Sequence, residues 1–207
     1  MRIPFSLCVL LLLGTSAWAQ DDEVGPYYLQ VNLGGVFSEK AEVQGFEGDF
    51  DPGIMTSIAL GRHLWSTDRL VLDGELEAYY QYFTFDDVLN VPSAGKNDDA
   101  RAFAFLVNGL LEWRFTRQFS VYGGAGVGYA PKIEYDTFDS GNLNQDQSDG
   151  FCFSGRLGLD YNLGGNYDFR FGYRYFRTEP IDIVDAAGSD ELSIGQHAVE
   201  LGVRWAL

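Results

Sequence analysis

The sequence predicts an all-β fold, an eight-stranded antiparallel up-and-down transmembrane β-barrel that follows a cleaved signal peptide. Three observations predict it. Apolar residues alternate with small or polar ones at a period of two in eight segments, as they do in β-strands. The links between these segments are alternately short and long. No apolar run after residue 20 is long enough for a membrane-spanning helix, which needs about 20 residues.

The composition of the 207-residue chain argues against two broad classes of protein. Its formal charge is -16, from 14 basic and 30 acidic residues, so we expect no nucleic-acid partner. Hydrophobic residues make up 46% of the chain, with 16 Phe, 12 Tyr and 4 Trp, which excludes intrinsic disorder. The chain is therefore expected to fold as one domain with a large packed or lipid-facing apolar surface.

Residues 1–19 predict a secretory signal peptide. Arg2 precedes an apolar run at residues 5–13, and the small-residue site at 17–19 indicates cleavage after Ala19. Cleavage removes Cys8 and leaves Cys152, so the mature chain, residues 20–207, has no intramolecular disulfide. The mature protein is expected to leave the cytoplasm as a single barrel domain.

Eight segments carry the alternating pattern of strands. They are 27–37, 54–61, 70–82, 103–113, 119–129, 151–161, 167–175 and 198–207. In the third segment Asp73, Glu75 and Glu77 share one face, which therefore does not belong to an ordinary apolar core. In the fifth segment Gly124 and Gly126 lie on the polar face and leave room for bulky neighbours.

The lengths of the connections predict how the strands are arranged. Tight turns are expected near 65–68, 116–118 and 164–166. Long surface loops are expected at about 38–52, 84–99, 131–149 and 178–195. An even number of antiparallel strands with short turns at one end and long loops at the other is typical of bacterial outer-membrane barrels.

The apolar face of each strand distinguishes a membrane barrel from a soluble one. A soluble barrel keeps its apolar side chains inside, whereas here the opposite face carries small and charged groups that must meet one another. A soluble sandwich with an aromatic core is the alternative. Aromatic residues near the two strand ends predict two interfacial girdles. They are Trp113, Phe115, Phe119, Tyr161, Tyr167 and Trp205 at the turn end, and Tyr80, Tyr82, Phe103, Tyr129, Phe151 and Tyr175 at the loop end.

Four motifs resemble the eight-stranded bacterial outer-membrane proteins, a family that comprises the outer membrane protein A transmembrane domain and the opacity-like surface proteins. The motifs lie at 27–35, 121–129, 171–175 and 199–205. The resemblance implies residence in the cell outer membrane, contact with membrane lipid and lipopolysaccharide, and insertion by the outer-membrane assembly machinery. That machinery reads a last strand with a terminal aromatic residue, whereas this chain ends in Leu207 with Trp205 two residues earlier.

The inward-facing positions of the predicted strands carry many charges. They hold Asp73, Glu75, Glu77, Glu112, Asp160, Asp168 and Glu200, together with Arg114, Arg156, Arg170, Arg174 and Arg204. Eight strands enclose an interior just wide enough for side chains to fill it, so no water-filled pore is expected. We hypothesise that a network from Glu75 and Glu77 to Arg156 and Arg174 fills the middle of the lumen. Either it is stabilising polar fill, or it gates a narrow solute channel.

An alternative function is a lipid-modifying enzyme, an acyl hydrolase or transferase. His197 lies at the loop end of the last strand, with Ser193 and Glu191 nearby, as a nucleophile and its partners would require. Val199 occupies the position where the lipid A deacylases have the serine of their His-x-Ser motif. His63 lies at the turn end on the inward face, away from the outer leaflet. We therefore expect no catalytic residues, and an interfacial role for His197.

Metal and cofactor motifs are weak in this sequence, and we expect neither a metal nor a cofactor. The third loop contains oxygen ligands of the kind that calcium prefers, at Asp139, Asn142, Asn144, Asp146, Ser148 and Asp149. Their spacing does not match that of a calcium-binding loop, so a solvated acidic loop is the expectation.

The net charge is concentrated in the four long loops. These loops hold 19 acidic residues, while their basic residues are Lys40, Lys96 and Lys132. An acidic outer face predicts contact with divalent cations of the lipopolysaccharide layer or with a cationic partner, while the surface ligand itself stays unknown.

Overall fold

The computed structural model describes residues 26–38, 41–43, 46–48, 52–85, 98–139, 142–179, 181–185, 188–192 and 195–207. The expected signal peptide, residues 1–19, lies outside these described residues. Twelve strands form in the described part of the chain. They are β1 (Tyr27–Ser38), β2 (Ala41–Val43), β3 (Phe46–Gly48), β4 (Gly53–Ser66), β5 (Leu70–Phe85), β6 (Asp98–Arg114), β7 (Phe119–Asp139), β8 (Asn142–Asn162), β9 (Tyr167–Thr178), β10 (Ile181–Asp185), β11 (Gly188–Leu192) and β12 (Gly195–Ala206).

Eight of these strands close into one barrel, as the alternating pattern predicted. Around the barrel the order is β1, β4, β5, β6, β7, β8, β9 and β12, and β12 pairs with β1 to complete the circle. Every neighbouring pair is antiparallel, so the chain runs up and down in sequence order. Closure leaves no unpaired sheet edge within the barrel. No helix among the described residues is long and apolar enough to cross a membrane.

Local side chains shape the three short turns at one end. In the first turn the Thr67 hydroxyl accepts a hydrogen bond from the Leu70 amide at 3.0 Å. In the second, the Thr116 hydroxyl accepts one from the Phe119 amide at 2.9 Å. The third turn uses Gly164, whose φ of 84° favours glycine. The termini of the barrel lie at this same end, because Tyr28 pairs with Ala206.

The apolar faces point outward, which confirms a lipid-facing barrel rather than a sandwich with an aromatic core. Leu33 and Leu201 are 63% and 64% exposed, whereas Glu75 and Arg174 on inward faces are fully buried. Aromatic side chains contact one another near both strand ends. Tyr167 stacks on Trp205 and Phe119 contacts Tyr161 at the turn end, and Tyr129 contacts Phe151 at the loop end.

The segment 131–149 differs from the long loop that we expected. Residues 131–139 continue β7 and residues 142–149 continue β8, so the two strands pair as a hairpin as far as Asp139 and Asn142. Alternation persists at Ile133, Tyr135 and Thr137, so the strand pattern continues beyond the predicted strand end. The acidic residues of the segment therefore do not end the strands.

The other long connections contain less strand than the third. Paired strands β2 and β3 lie in the first connection, and β10 and β11 in the fourth. The second connection is shorter than expected, because β5 ends at Phe85 and β6 begins at Asp98. Residues 86–97, between them, lie outside the described part of the chain.

Candidate functional site in the barrel lumen

The charged residues of the lumen come from strands on opposite sides of the barrel. Glu75 and Glu77 lie on β5, Arg156 on β8, Arg174 on β9 and Glu200 on β12. In the barrel order β5 and β9 lie four strands apart, which is the full diameter of an eight-stranded barrel. Period-two alternation turns each of these side chains inward, so they meet near the barrel axis.

The middle of the lumen contains two arginines and three carboxylates, all fully buried. Arg174 donates from Nη2 to Glu77 Oε1 at 2.6 Å and from Nε to Glu200 Oε2 at 3.0 Å. Arg156 donates from Nη1 to Glu75 Oε2 at 2.9 Å, and its Nη2 lies 3.1 Å from Glu200 Oε1. Glu200 therefore bridges both arginines, and the structure brings together the four residues of the hypothesised network.

The remaining predicted residues form two groups on the turn side of this layer. In the first group, Arg170 and Asp160 make a bidentate pair, from Nε at 2.6 Å and from Nη2 at 2.8 Å. In the second, Arg204 lies 3.2 Å from Asp73 and 3.1 Å from Glu112. Ten of the twelve charged residues expected inside the barrel thus form ion pairs with one another. They are Asp73, Glu75, Glu77, Glu112, Arg156, Asp160, Arg170, Arg174, Glu200 and Arg204.

Three polar residues lie beside the second group. His63 Nδ1 lies 2.6 Å from Asp73 Oδ1, on the inward face at the turn end, where the sequence placed it. Arg114 donates to Glu112 at 3.3 Å but is 47% exposed. The Asp168 carboxylate accepts a hydrogen bond from the side-chain amide of Asn162 at 2.7 Å. Arg114 and Asp168 therefore lie at the edge of the network rather than within it.

Three buried tyrosines support the network, and the sequence reasoning missed them. The guanidinium carbon of Arg170 lies 3.9 Å from the centre of the Tyr122 ring, that of Arg204 lies 4.2 Å from Tyr28, and that of Arg174 lies 4.9 Å from Tyr79. Cation–π contacts of this kind stabilise a charge that has left water. Their position in the sequence could have identified them, because all three tyrosines lie at inward positions of the alternating pattern.

Glycines on neighbouring strands make the space that these rings occupy. A Cβ atom on Gly172 would lie 2.1 Å from the Tyr122 hydroxyl, and one on Gly61 would lie 2.1 Å from Cζ of Tyr28. Real atoms do not approach so closely, so these positions accept no larger side chain without a shift. The strand faces that carry glycine in the sequence therefore provide space for aromatic rings.

The loop-side half of the lumen contains an apolar cluster, which the sequence reasoning also missed. A cluster of buried side chains fills it above the ion pairs, and the Tyr79 and Phe176 rings stack there at 4.8 Å. The cluster consists of Val36, Met55, Tyr79, Ala102, Ala104, Leu106, Ala130, Ile133, Cys152, Phe176 and Ala198.

Of the three candidate catalytic residues, the structure describes the side chain of His197. His197 contacts the Tyr173 hydroxyl through Nδ1, and its ring lies 5.2 Å from that of Tyr175. Ser193 lies outside the described residues, and the side chain of Glu191 is likewise not described. Val199 faces outward and is 44% exposed.

The oxygen-rich segment considered for calcium forms part of the hairpin of β7 and β8. Apart from Asp149, which accepts a hydrogen bond from the Tyr129 hydroxyl, its ligand-type side chains lie outside the described set. Among the described residues no group of three or more His, Cys, Asp or Glu side chains is arranged to hold a metal ion.

A closed barrel with a lipid-facing surface and charges inside is a membrane-spanning β-barrel protein. Residues 5–206 match the family model of the outer membrane protein beta-barrel domain, and the chain belongs to that family. It is therefore a protein of the bacterial outer membrane, in contact with membrane lipid and lipopolysaccharide, as the resemblance implied. A search of curated proteins finds no match.

Solved structures with a similar fold share little sequence with this chain. Neisserial surface protein A has a TM-score of 0.57 and 16% identity, over 90% of this chain and 100% of that one. The N-terminal β-barrel domain of OprF from Pseudomonas aeruginosa has a TM-score of 0.50 and 12% identity, over 89% and 100%. The outer membrane protease OmpT from Escherichia coli has a TM-score of 0.48 and 10% identity, over 91% and 99%. At these identities the comparisons show a shared fold alone.

Proposed function

We propose that this protein is a closed, non-enzymatic barrel that contributes to envelope structure and interacts with cationic groups through its acidic outer face. The observation that carries the proposal is the ion-paired lumen, in which Arg174 on β9 reaches Glu77 on β5 across the barrel. A lumen filled in this way leaves the outer surface as the part of the molecule available to partners.

The charge distribution supports a cationic partner at that surface. The predicted loops hold 19 of the 30 acidic residues and three lysines, whereas acids and arginines are paired in the lumen. Divalent cations of the lipopolysaccharide layer match such a face, and so does a basic polypeptide. Screening by salt weakens contacts between exposed charges, so the binding is expected to fall as ionic strength rises.

The test of surface binding uses the refolded protein in neutral-lipid nanodiscs, titrated with Mg²⁺ and with oligolysine. Binding that weakens with salt supports the proposal. A variant with Glu134→Gln, Asp136→Asn and Asp139→Asn removes three acids from the hairpin and should bind oligolysine less tightly. The control is Asp68→Asn, which removes one acid from the opposite end and should leave binding unchanged. Absent binding, or binding that ignores ionic strength, would refute the proposal.

We further propose that the lumen network is stabilising polar fill rather than a gate. The apolar cluster around Phe176 lies between the ion pairs and the loop end, so removal of one charge leaves that layer in place. Planar-bilayer recordings of the refolded protein and of Arg174→Ala are expected to show no water-filled pore in either. A new conductance in Arg174→Ala would instead favour the narrow solute channel.

The non-enzymatic part of the proposal rests on the surroundings of His197. Its ring contacts include the aromatic residues Tyr173 and Tyr175, as suits a residue at headgroup level. Purified lipopolysaccharide incubated with the refolded protein is expected to keep its acyl chains. Deacylation or acyl transfer that His197→Ala abolishes would overturn this view and favour a lipid-modifying enzyme.

We also infer that the outer-membrane assembly machinery inserts the chain through β12. That strand presents Val199, Leu201, Val203 and Trp205 outward, an alternating apolar face with an aromatic residue near its end. Trp205→Ser is expected to lower the amount of folded barrel in the membrane of cells that express it, relative to the amount synthesised.

A further inference from the structure

A cavity of about 740 Å³ lies between the ion-paired layer and the short turns, at the end of the barrel that faces the periplasm. Its walls come from all three short turns and from the turn-side ends of the eight barrel strands. We call it the periplasmic vestibule. Its floor contains Arg204 and Glu112, which belong to the network described above. Neither the closed lumen nor the acidic outer face explains this space.

Three arginines of the first two turns and the adjoining strand end line the vestibule. Arg69 lies in the first turn, Arg114 ends β6, and Arg117 lies in the second turn. The backbone holds two of them together, because the Arg114 amide donates to the Arg69 carbonyl at 2.7 Å. The three arginines lie on the same side of the vestibule, because the first and second turns are adjacent around the barrel.

The guanidinium groups of these arginines are largely available for binding. Among the described residues, the side chains of Arg69 and Arg117 make no hydrogen bond or ion pair. Arg114 has one contact, from Nε to Glu112 at 3.3 Å, and the rest of its planar fork is free of recorded partners. Below them, Arg204 is 5% exposed and its Nε has no hydrogen-bond partner in the described structure.

Most carboxylates around the vestibule are already engaged. Asp160 accepts two hydrogen bonds from Arg170, Glu112 lies 3.1 Å from Arg204, and Asp168 accepts a hydrogen bond from Asn162. Asp68, at the rim, is the one acid of the lining without a recorded partner in the described chain. The charge that remains available in the vestibule is therefore mainly positive, and it is carried by the planar guanidinium groups of these arginines.

We propose that the periplasmic vestibule binds a phosphate group between Arg69, Arg114 and Arg117. Arginine suits this ligand because its fixed fork of N–H donors matches phosphate oxygens two at a time. The vestibule opens beside the turn-end aromatic girdle that includes Phe119, which is where phospholipid headgroups of the inner leaflet lie. The phosphate comes either from such a headgroup or from a free phosphate of the periplasm.

The experiment measures phosphate binding by the refolded, isotope-labelled protein in uncharged maltoside micelles, which contain no phosphate. One arm adds inorganic phosphate, and the other adds the short-chain lipid dihexanoyl phosphatidylglycerol. Amide shifts in the second turn report binding. The variant Arg69→Gln, Arg114→Gln and Arg117→Gln is expected to bind at least about tenfold more weakly. The matched control replaces Lys40, Lys96 and Lys132 by Gln, which removes the same charge from the loops and should leave binding unchanged.

The outcomes distinguish the two sources and can overturn the proposal. Shifts with inorganic phosphate identify a site for the free anion, and shifts with the lipid alone identify a headgroup site. No shift in either arm refutes the proposal, as does equal binding by the triple arginine variant or an equal loss in the lysine control. Arg117→Gln alone keeps the test valid if the triple variant does not fold, because Arg117 is exposed and lies in a turn.

Discussion

Replacement of Arg174 by Met should destabilise the barrel by about 3 kcal/mol, the lower end of the 3–5 kcal/mol expected when one partner of a buried ion pair is removed. Met fills much of the space but leaves Glu77 and Glu200 without their arginine. The lower end applies because Arg156 stays 3.9 Å from Glu77 and 3.1 Å from Glu200 and still compensates part of their charge.

The assay is equilibrium unfolding by urea of the protein refolded in lipid vesicles, followed by tryptophan fluorescence and by heat-dependent gel mobility. The matched control is Arg117→Met, an exposed arginine in a turn, which should change the free energy of unfolding by less than about 0.5 kcal/mol. The double variant Arg174→Met, Glu77→Gln should lose less than the sum of its single variants, because both charges of the pair are then gone. If Arg174→Met costs less than about 1 kcal/mol, or the double variant is additive, the network does not stabilise the lumen as argued.

Three further predictions concern other layers of the barrel. Gly172→Ala should destabilise the barrel, because the new Cβ would lie 2.1 Å from the Tyr122 hydroxyl. Addition of Tyr122→Phe should partly restore stability, since the next nearest atom lies at 3.2 Å. The control Gly155→Ala, with no atom within 4 Å, should be tolerated in the same unfolding assay. Leu201→Arg, on the lipid face in mid-strand, should cost about 2–4 kcal/mol, against at most about 1 kcal/mol for Leu207→Arg at the strand end, and equal costs would contradict the placement of the bilayer. The Cys152 thiol is fully buried, so maleimide should not label the folded barrel but should label it in urea; labelling without urea would show that the apolar layer is open.

The alternating pattern predicted many of the lumen residues, because the period of a strand determines which side chains point into the barrel. A residue such as Glu77 points inward whatever its partner, and this is enough to identify the ten charged residues. The pattern does not determine which of them meet. Arg174 and Glu77 are 97 residues apart, and their contact depends on strand order and register around the closed barrel.

The layers of the lumen could not be predicted from residue type alone. Ala104 is an ordinary member of an alternating segment, and Ala102 and Phe176 lie just outside the predicted segments 103–113 and 167–175. Their grouping above the ion pairs emerges only when eight strands are aligned. The hairpin of β7 and β8 was missed for a related reason. Its acidic residues indicated a loop, while backbone pairing beyond the barrel depends little on which side chains face the water.

The long sequence separation of the ion pairs has a consequence for the order in which the barrel assembles. Arg204 and Glu112 are 92 residues apart, and Arg156 and Glu75 are 81 apart, so these contacts form only once distant strands have come round to face each other. Until then each charge stays hydrated within an open sheet. The network therefore acts late, adding little to the rate of folding while slowing the rate at which a finished barrel opens.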